Sequence, residues 1–352
     1  MKKKVVVFVD LVAHKNKLQI EIIQQLDGEP VFFVNHYRPQ FDAFFSKAGT
    51  QILLSAGFVS RIQQVHAFFK RNKNQIHHLE IYPGGRISFI YLFLAKWFSL
   101  KTICAERGDL LYFKKGGYDL LTRFSMYCCY KFSNIVWYRE PYMKEILEKL
   151  RKKNLFFLHN AIPVGTHLIQ NENKDIDFLW VNRIIPQRKA KWFIKKISTP
   201  EFKNTKNILV GILQHTKLNS DVAYVINNCP LNLTLVDYTP APEAYYKRAK
   251  YFVLPADVVF ANHALLEAMS WGVVPLVSDI GGANLIVEKN KNGFIFEHTE
   301  TGFNQAMNEA LHLDRETYLA YAEASQQKIK ETFSTEKYAE KLKVLYDLIE
   351  NA

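Results

Sequence analysis

The sequence predicts an α/β protein built as two doubly wound domains in series. Three observations carry that prediction. Short β-branched or aromatic runs recur along the 352 residues, segments of helical spacing lie between several of them, and the alternation pauses at a polar stretch and then restarts. A chain of this length with 48% hydrophobic residues can bury a sizeable core, and it favours two domains over one.

The first set of strands is expected at KVVVFVD (4–10), PVFFVN (30–35), QILL (51–54), LEIY (79–82), KTICA (101–105), NIVWY (134–138) and LFFL (155–158). IEIIQQL (20–26) and PYMKEILEKLRKK (141–153) carry helical spacing between them. A second set follows at IDFLWVN (176–182), NILVGIL (207–213), LNLTLVD (231–237), YFVLP (251–255), VVPLV (273–277) and GFIF (293–296). Strands alternating with helices imply parallel sheets covered on both faces. QNENKD (170–175) reads as the linker, with the changeover starting as early as Asn160. The expected division is 1–165, 166–333 and a final segment 334–352. Its amphipathic helix STEKYAEKLKVLYDLI needs an apolar surface and is expected to pack back toward the first domain.

Charge separates the halves. Residues 1–160 hold 25 Lys and Arg against 12 Asp and Glu, whereas residues 161–352 hold 21 against 22, so the whole +12 arises in the first half. An anionic partner of that half is implied. VHAFFKRNKNQIHH (65–78) and YLFLAKWFSLK (91–101) interleave aromatic and cationic residues, which fits either a solvated face or an anionic membrane surface. No nucleic-acid motif accompanies the charge, so nucleic acid is not expected as a partner. ISFIYLFLAKWFSL (87–100) is too short to span a bilayer and carries Lys96; it reads as a buried or interfacial helix. MKKK runs directly into a strand-like segment with no signal-peptide core or cleavage site, so a cytoplasmic location is expected, with peripheral contact on the inner face of the cell membrane. Cys104, Cys128, Cys129 and Cys229 lack metal-site spacing and read as reduced structural thiols.

The segment VLPADVVFANHALLEAMSWG (253–272) reads as strand, loop and a helix from about Ala261 to Trp271. Unpaired amides at the start of such a helix suit an anion. Glu267, on a helix whose other faces are apolar, is either a solvated acid or an acceptor of two hydrogen bonds from a vicinal diol, as in a ribose. No Asp-x-Asp or clustered His/Asp/Cys spacing points to a metal. No G-x-G-x-x-G follows an expected strand, which disfavours a dehydrogenase.

The run LLEAMSWGVVPLVSDIGGANLIVEKNKNGFIF (265–296) closely resembles the donor-binding core of family 4 glycosyltransferases, retaining enzymes with the GT-B fold. The similarity extends through APEAYYKRAKYFVLPA (241–256) and LWVNRIIPQRKAKWFI (179–194), while HNAIPVG (159–165) resembles the family's interdomain crossing. The resemblance implies two Rossmann-like domains facing a central cleft, the second binding the donor and the first the acceptor. It aligns Glu267 with the acid that holds the nucleotide ribose. The preceding acid of that motif would fall at position 259, where this chain has Val259, with Asp257 two residues away.

By the same resemblance Arg183 and Arg188 occupy the positions of the family's two diphosphate cations, with Lys189 beside them. Two cations there would neutralise the leaving group. Phe260, Asn262 and His263 would approach sugar and phosphates, Leu265 and Leu266 belong to the same donor-binding set, and Gly281 and Gly282 either form a tight turn or approach the sugar. Tyr238 or Thr239 would flank the base. In the first half, the loop DLVAHKNK (10–17) lacks the glycines the family commonly has there. CAERGDL (104–110) stands where the family has a His; Glu106 is the third catalytic candidate, with Arg107 on the acceptor side, and a buried Glu–Arg pair is the competing account. Gly84 and Gly85 of YPGGR (82–86) would face the acceptor or merely turn the chain.

The expected function is retaining, metal-independent transfer of a sugar to a glycan or lipid-diphosphate-linked acceptor in surface polysaccharide synthesis. A UDP- or GDP-sugar is the expected donor, and no further cofactor is expected. The rivals are a catalytically silent nucleotide-sugar binding subunit and a nucleotide-sugar epimerase or hydrolase on the same scaffold.

Overall fold

The computed structural model describes residues 4–9, 16–34, 48–106, 110, 113, 116–151, 153–164, 174–212 and 220–352. Arg107 and most of the loop 10–17 lie outside these residues. The chain divides into two compact units, residues 1–159 with 338–352, and residues 160–337.

The first unit holds β1 (Lys4–Val9), α1 (Lys17–Gln25), β2 (Gly28–Val34), β3 (Thr50–Leu53), α2 (Phe58–Asn72), β4 (Ile76–Ile81), α3 (Ser88–Trp97), β5 (Thr102–Ala105), α4 (Leu120–Phe132), β6 (Ile135–Tyr138), α5 (Met143–Leu150) and β7 (Leu155–Phe157). The strands form one sheet in the order β3-β2-β1-β4-β5-β6-β7, and every neighbouring pair is parallel. Val5, Val7 and Val9 reach one face, where Val65, Phe69, Tyr91, Met126 and Leu147 cover them from the helices. That burial on both faces explains why the strands read as continuous apolar runs.

The second unit holds β8 (Ile176–Val181), α6 (Ala190–Ile197), β9 (Asn207–Ile212), α7 (Ser220–Asn227), β10 (Leu233–Asp237), α8 (Glu243–Tyr246), β11 (Ala249–Leu254), α9 (His263–Ser270), β12 (Val274–Ser278), β13 (Phe294–Phe296), α10 (Glu300–Leu311) and α11 (Arg315–Lys328). Its sheet runs β10-β9-β8-β11-β12-β13, again parallel throughout. The α/β class with two doubly wound sheets is therefore as the sequence predicts, and all thirteen expected strands form.

Of the segment read as the linker, 170–175, the described residues are Lys174 and Asp175, and both are held by contacts. Lys174 is buried and its Nζ donates to Gly272 O (2.8 Å) and Trp271 O (3.4 Å) beyond the end of α9, while Asp175 pairs with Arg248 (2.7 Å). Loss of hydration pulls the Lys174 pKa down to about 7. Both residues belong to the second unit. The last helix, α12 (Thr335–Glu350), begins in the second unit and has Tyr338 onward in the first. Within the first unit its Tyr346 meets Glu80 of β4.

Candidate donor site at the second sheet's switch point

In a doubly wound sheet the crevice opens where strand order reverses, at the carboxyl ends of the strands. In the second unit that point lies between β8 and β11. The chain leaving β8 carries Asn182, Arg183, Arg188 and Lys189; the chain leaving β11 carries Asp257 to Asn262 and then α9. Four contacts span the gap. Asp257 N donates to Gln187 O (2.8 Å), Arg188 Nη1 to Val258 O (2.8 Å), and Lys189 Nζ pairs with Asp257 Oδ1 (3.0 Å). Asn262 Nδ2 reaches Asn182 Oδ1 at 3.5 Å.

The exit of β8 is shaped by its neighbour. Gly211 of β9 has φ 129°, and a Cβ there would stand 2.0 Å from Asn182 O, so only glycine allows the approach. Asn182 Nδ2 is buried and finds no acceptor among the described residues. Arg183 follows it and is exposed. Lys189 itself sits at φ 54°, opening α6 from a left-handed turn.

Asn262 caps α9, its side chain accepting from Leu265 N (3.1 Å). The helix therefore starts at His263, two residues after the sequence boundary. Leu265 and Leu266 are fully buried in the core, so their side chains face away from any donor; Leu265 N is taken by the cap and Leu266 N by Asn262 O. Phe260 is buried against Phe333 rather than open to a sugar. His263 is exposed at the helix start.

Glu267, a turn further on, is half-buried, and its Oε2 accepts from Tyr246 OH at 3.0 Å. Burial raises its pKa, the Tyr246 hydrogen bond only partly offsets this, and the nearby Glu243 charge adds to it. A carboxylate so placed retains acceptor capacity beyond the one bond to Tyr246.

Val259, at the position of the missing acid, is completely buried. Asp257 instead reaches the crevice mouth. His298, just past β13, donates or accepts between Asp257 Oδ1 (2.9 Å) and Ser278 Oγ (2.9 Å). Burial would raise the Asp257 pKa, but Lys189 and His298 hold it below the usual carboxylate range. Gly281 and Gly282 follow β12 with φ 41° and 88°, a left-handed turn, and the space above Gly281 is open. Tyr238 lies two strands away, past β10, and is exposed.

Sequence reasoning thus located the strand ends but missed three contributors: Asn182, Tyr246 and His298. His298 had a signal, since it follows a strand's carboxyl end. Tyr246 had none, because its role depends on α8 packing against α9.

The first unit's switch point lies between β1 and β4. Gly84 and Gly85 follow β4, and Gly85 O accepts from Ser88 Oγ (3.1 Å) and Ser125 Oγ (2.8 Å), which makes this turn an anchor for α3 and α4. Glu106 is fully buried and accepts from Tyr130 OH and Leu110 N (3.1 Å). Its side chain is thus directed into the core, which corrects its reading as a group on the reacting sugars and favours the buried structural acid; Arg107 falls outside the described residues. Among the described residues no group of three or more His, Cys, Asp or Glu is arranged to hold a metal ion. A cavity of about 300 Å³ lies at the opposite end of the second sheet, against Asp177, Lys250 and Tyr318, and shares no residue with the crevice.

Residues 168–328, a little under half of the chain, match the family described as "Glycosyl transferases group 1". This match contains the whole crevice and supports glycosyl transfer as the activity. No curated protein matches the sequence. Among solved structures, sucrose-phosphate synthase from Thermosynechococcus elongatus is similar over 99% of both chains at 14% identity, with a TM-score of 0.78. HepE from Anabaena, crystallised with UDP, covers 97% of this chain and 98% of its own at 11% identity and a TM-score of 0.78. The apo lipopolysaccharide outer core galactosyltransferase WaaB covers 97% and 98% at 15% identity and 0.71. At these identities the likeness establishes the fold, which is GT-B.

Proposed function

We propose that the protein is a retaining glycosyltransferase that takes a sugar from a nucleoside-diphosphate donor, UDP or GDP, and passes it to a glycan or lipid-linked acceptor. The observation that carries this reading is the switch-point crevice itself, which gathers Arg183, Arg188 and Lys189 opposite a capped helix start, with Glu267 a turn further along. Cations and helix amides stabilise a departing diphosphate, the work a metal does elsewhere. Glu267 accepts from the ribose hydroxyls, and the Asn182 amide donates to the donor. Lys189 pairs with Asp257, so a bound diphosphate competes with that carboxylate for Lys189.

The mechanism that goes with this proposal is front-face. The diphosphate leaves, an oxocarbenium-like state forms, and a phosphate oxygen receives the proton of the incoming hydroxyl. A role in surface polysaccharide synthesis and peripheral attachment to the inner membrane face complete the proposal. Among the described residues no helix is long and apolar enough to cross a membrane.

UDP-glucose is the first donor to test, because UDP is held by the Anabaena neighbour. Release of nucleoside diphosphate is measured with and without glycan acceptors, in EDTA and in Mg²⁺, and the product anomer is read by NMR. Acceptor-dependent release in EDTA with retained configuration is expected. Release without acceptor would identify a hydrolase, conversion of the donor to another nucleotide sugar an epimerase, and tight binding without any turnover a silent subunit.

A further inference from the structure

The first unit carries an apolar surface that the donor crevice does not use. Trp97 is 79% exposed and Leu120 81%, and Phe93, Leu121, Phe124 and Phe132 are about half exposed. They lie on two neighbouring helices, α3 and α4, joined by ring contacts of Phe89 with Phe124 (5.4 Å) and of Phe93 with Phe132 (5.8 Å). On α3 the stripe Phe89, Phe93, Trp97 repeats every four residues, along one helix face. Scattered exposed apolar residues are ordinary, but a continuous row of rings across two helices marks an interaction surface.

The charge on these helices selects the partner. α2, which packs beside α3, and α3 and α4 together contain Arg61, Lys70, Arg71, Lys96, Arg123 and Lys131, and no acid. Asp119, which precedes α4, is occupied: it caps α4 through Thr122 N (3.1 Å) and pairs with Arg86 (3.3 Å). Lys96 adjoins Trp97, and Lys131 adjoins Phe132. Rings seated at the acyl boundary with ammonium groups reaching outward to phosphates is the arrangement of an interfacial helix.

We propose that the outer face of α3 and α4 docks this protein on an anionic lipid bilayer. The inference deepens the peripheral-membrane part of the proposed function by assigning it a surface; it does not depend on the donor site. The rings enter the headgroup layer of one leaflet and the exposed cations Lys70, Arg71, Lys96 and Lys131 meet lipid phosphates.

The test is co-sedimentation of the full chain with vesicles of phosphatidylcholine alone or mixed with phosphatidylglycerol, at low and high salt. The wild type is expected to pellet with the anionic vesicles, less with the neutral ones, and to be released by salt. Trp97→Ser with Phe124→Ser should weaken partitioning about tenfold or more, and Lys96→Glu with Lys131→Glu about fivefold per charge. The ring variant gives up the Phe89–Phe124 contact and the charge variant the Lys131 bond to Leu150 O (3.0 Å), so a small fall in melting temperature is expected with the wild-type nucleotide response kept. Wild-type protein that stays in the supernatant, or variants that pellet equally, overturns the proposal. So does a dimer in light scattering that the ring variant dissolves while no form binds vesicles, since the face then joins two copies. Vesicle binding without any nucleotide response leaves the docking surface standing and removes the transferase reading.

Discussion

Glu80 in the first unit and Glu267 in the second both meet a tyrosine hydroxyl, and their remaining surroundings set them to opposite uses. Glu80 is fully buried and its two oxygens accept from Gln19 (2.9 and 2.7 Å), Tyr346 (2.7 Å) and Tyr82 (3.3 Å), with His78 at 3.2 Å. Burial raises its pKa, and the hydrogen bonds from His78, Tyr346 and Gln19 more than reverse that, so it lies below the ordinary 4.5. Glu267 has the same burial effect and only Tyr246 to offset it, so its pKa lies above 4.5. The signs of their linkage differ accordingly. Glu80 contributes stability above its unfolded pKa that is lost as pH falls, whereas Glu267 favours the fold at low pH and loses that contribution as pH rises through its folded pKa. A saturated acid holds α1, β4 and α12 together; an under-satisfied acid at a crevice is ready for a ligand.

The contrast breaks first at Glu80. Glu80→Ala leaves buried donors on Gln19, Tyr346 and His78 without acceptors and should cost about 3–5 kcal/mol in urea unfolding. A loss below about 1 kcal/mol would show that the cluster does not hold the unit together. Next comes Val259→Glu. Because Val259 is completely buried, an acid there should cost about 2 kcal/mol or more in thermal unfolding rather than restore a sugar contact. Improved donor binding at unchanged stability would show that the loop opens. Gly211→Ala should lose about 1–3 kcal/mol and also weaken nucleotide binding, since Asn182 and Arg183 must move off the new Cβ; calorimetry reads both.

Lys174 shows itself as a pH slope rather than as a fixed loss. Its folded pKa, about 7 against 10.5, means the unfolded chain binds the extra proton between those values, so stability should rise across that window by about 1 kcal/mol per pH unit. Lys174→Met should flatten that slope relative to wild type, and an unchanged slope would mean Lys174 is hydrated in solution.

Much of this was legible in the sequence. The strands could be read because parallel strands buried on both faces are uniformly apolar, while Glu267 stood out as an acid inside LLEAMSWG and took its ribose role from the family resemblance alone. What could not be read depends on contacts across elements. Glu106 follows a strand end, as a functional acid would, and only the position of Tyr130 reveals that it is buried. Leu265 and Leu266 lie at the start of α9 in sequence, but the 3.6-residue period turns both into the core. The Glu80 cluster joins residues up to 327 positions apart, between Gln19 and Tyr346, and no local pattern announces it.

The central claim is that Glu267 holds a nucleotide at the switch point of the second sheet. Isothermal titration of UDP and GDP into wild type and Glu267→Ala, in EDTA, addresses it directly. One nucleotide should bind the wild type, and the variant, losing hydrogen bonds to a charged acceptor, should bind it about tenfold or more weakly while staying folded, with a stability loss of no more than about 1–3 kcal/mol from the Tyr246 hydroxyl left without its acceptor. Equal affinity in the two proteins, or no binding of either nucleotide to the wild type, would contradict it.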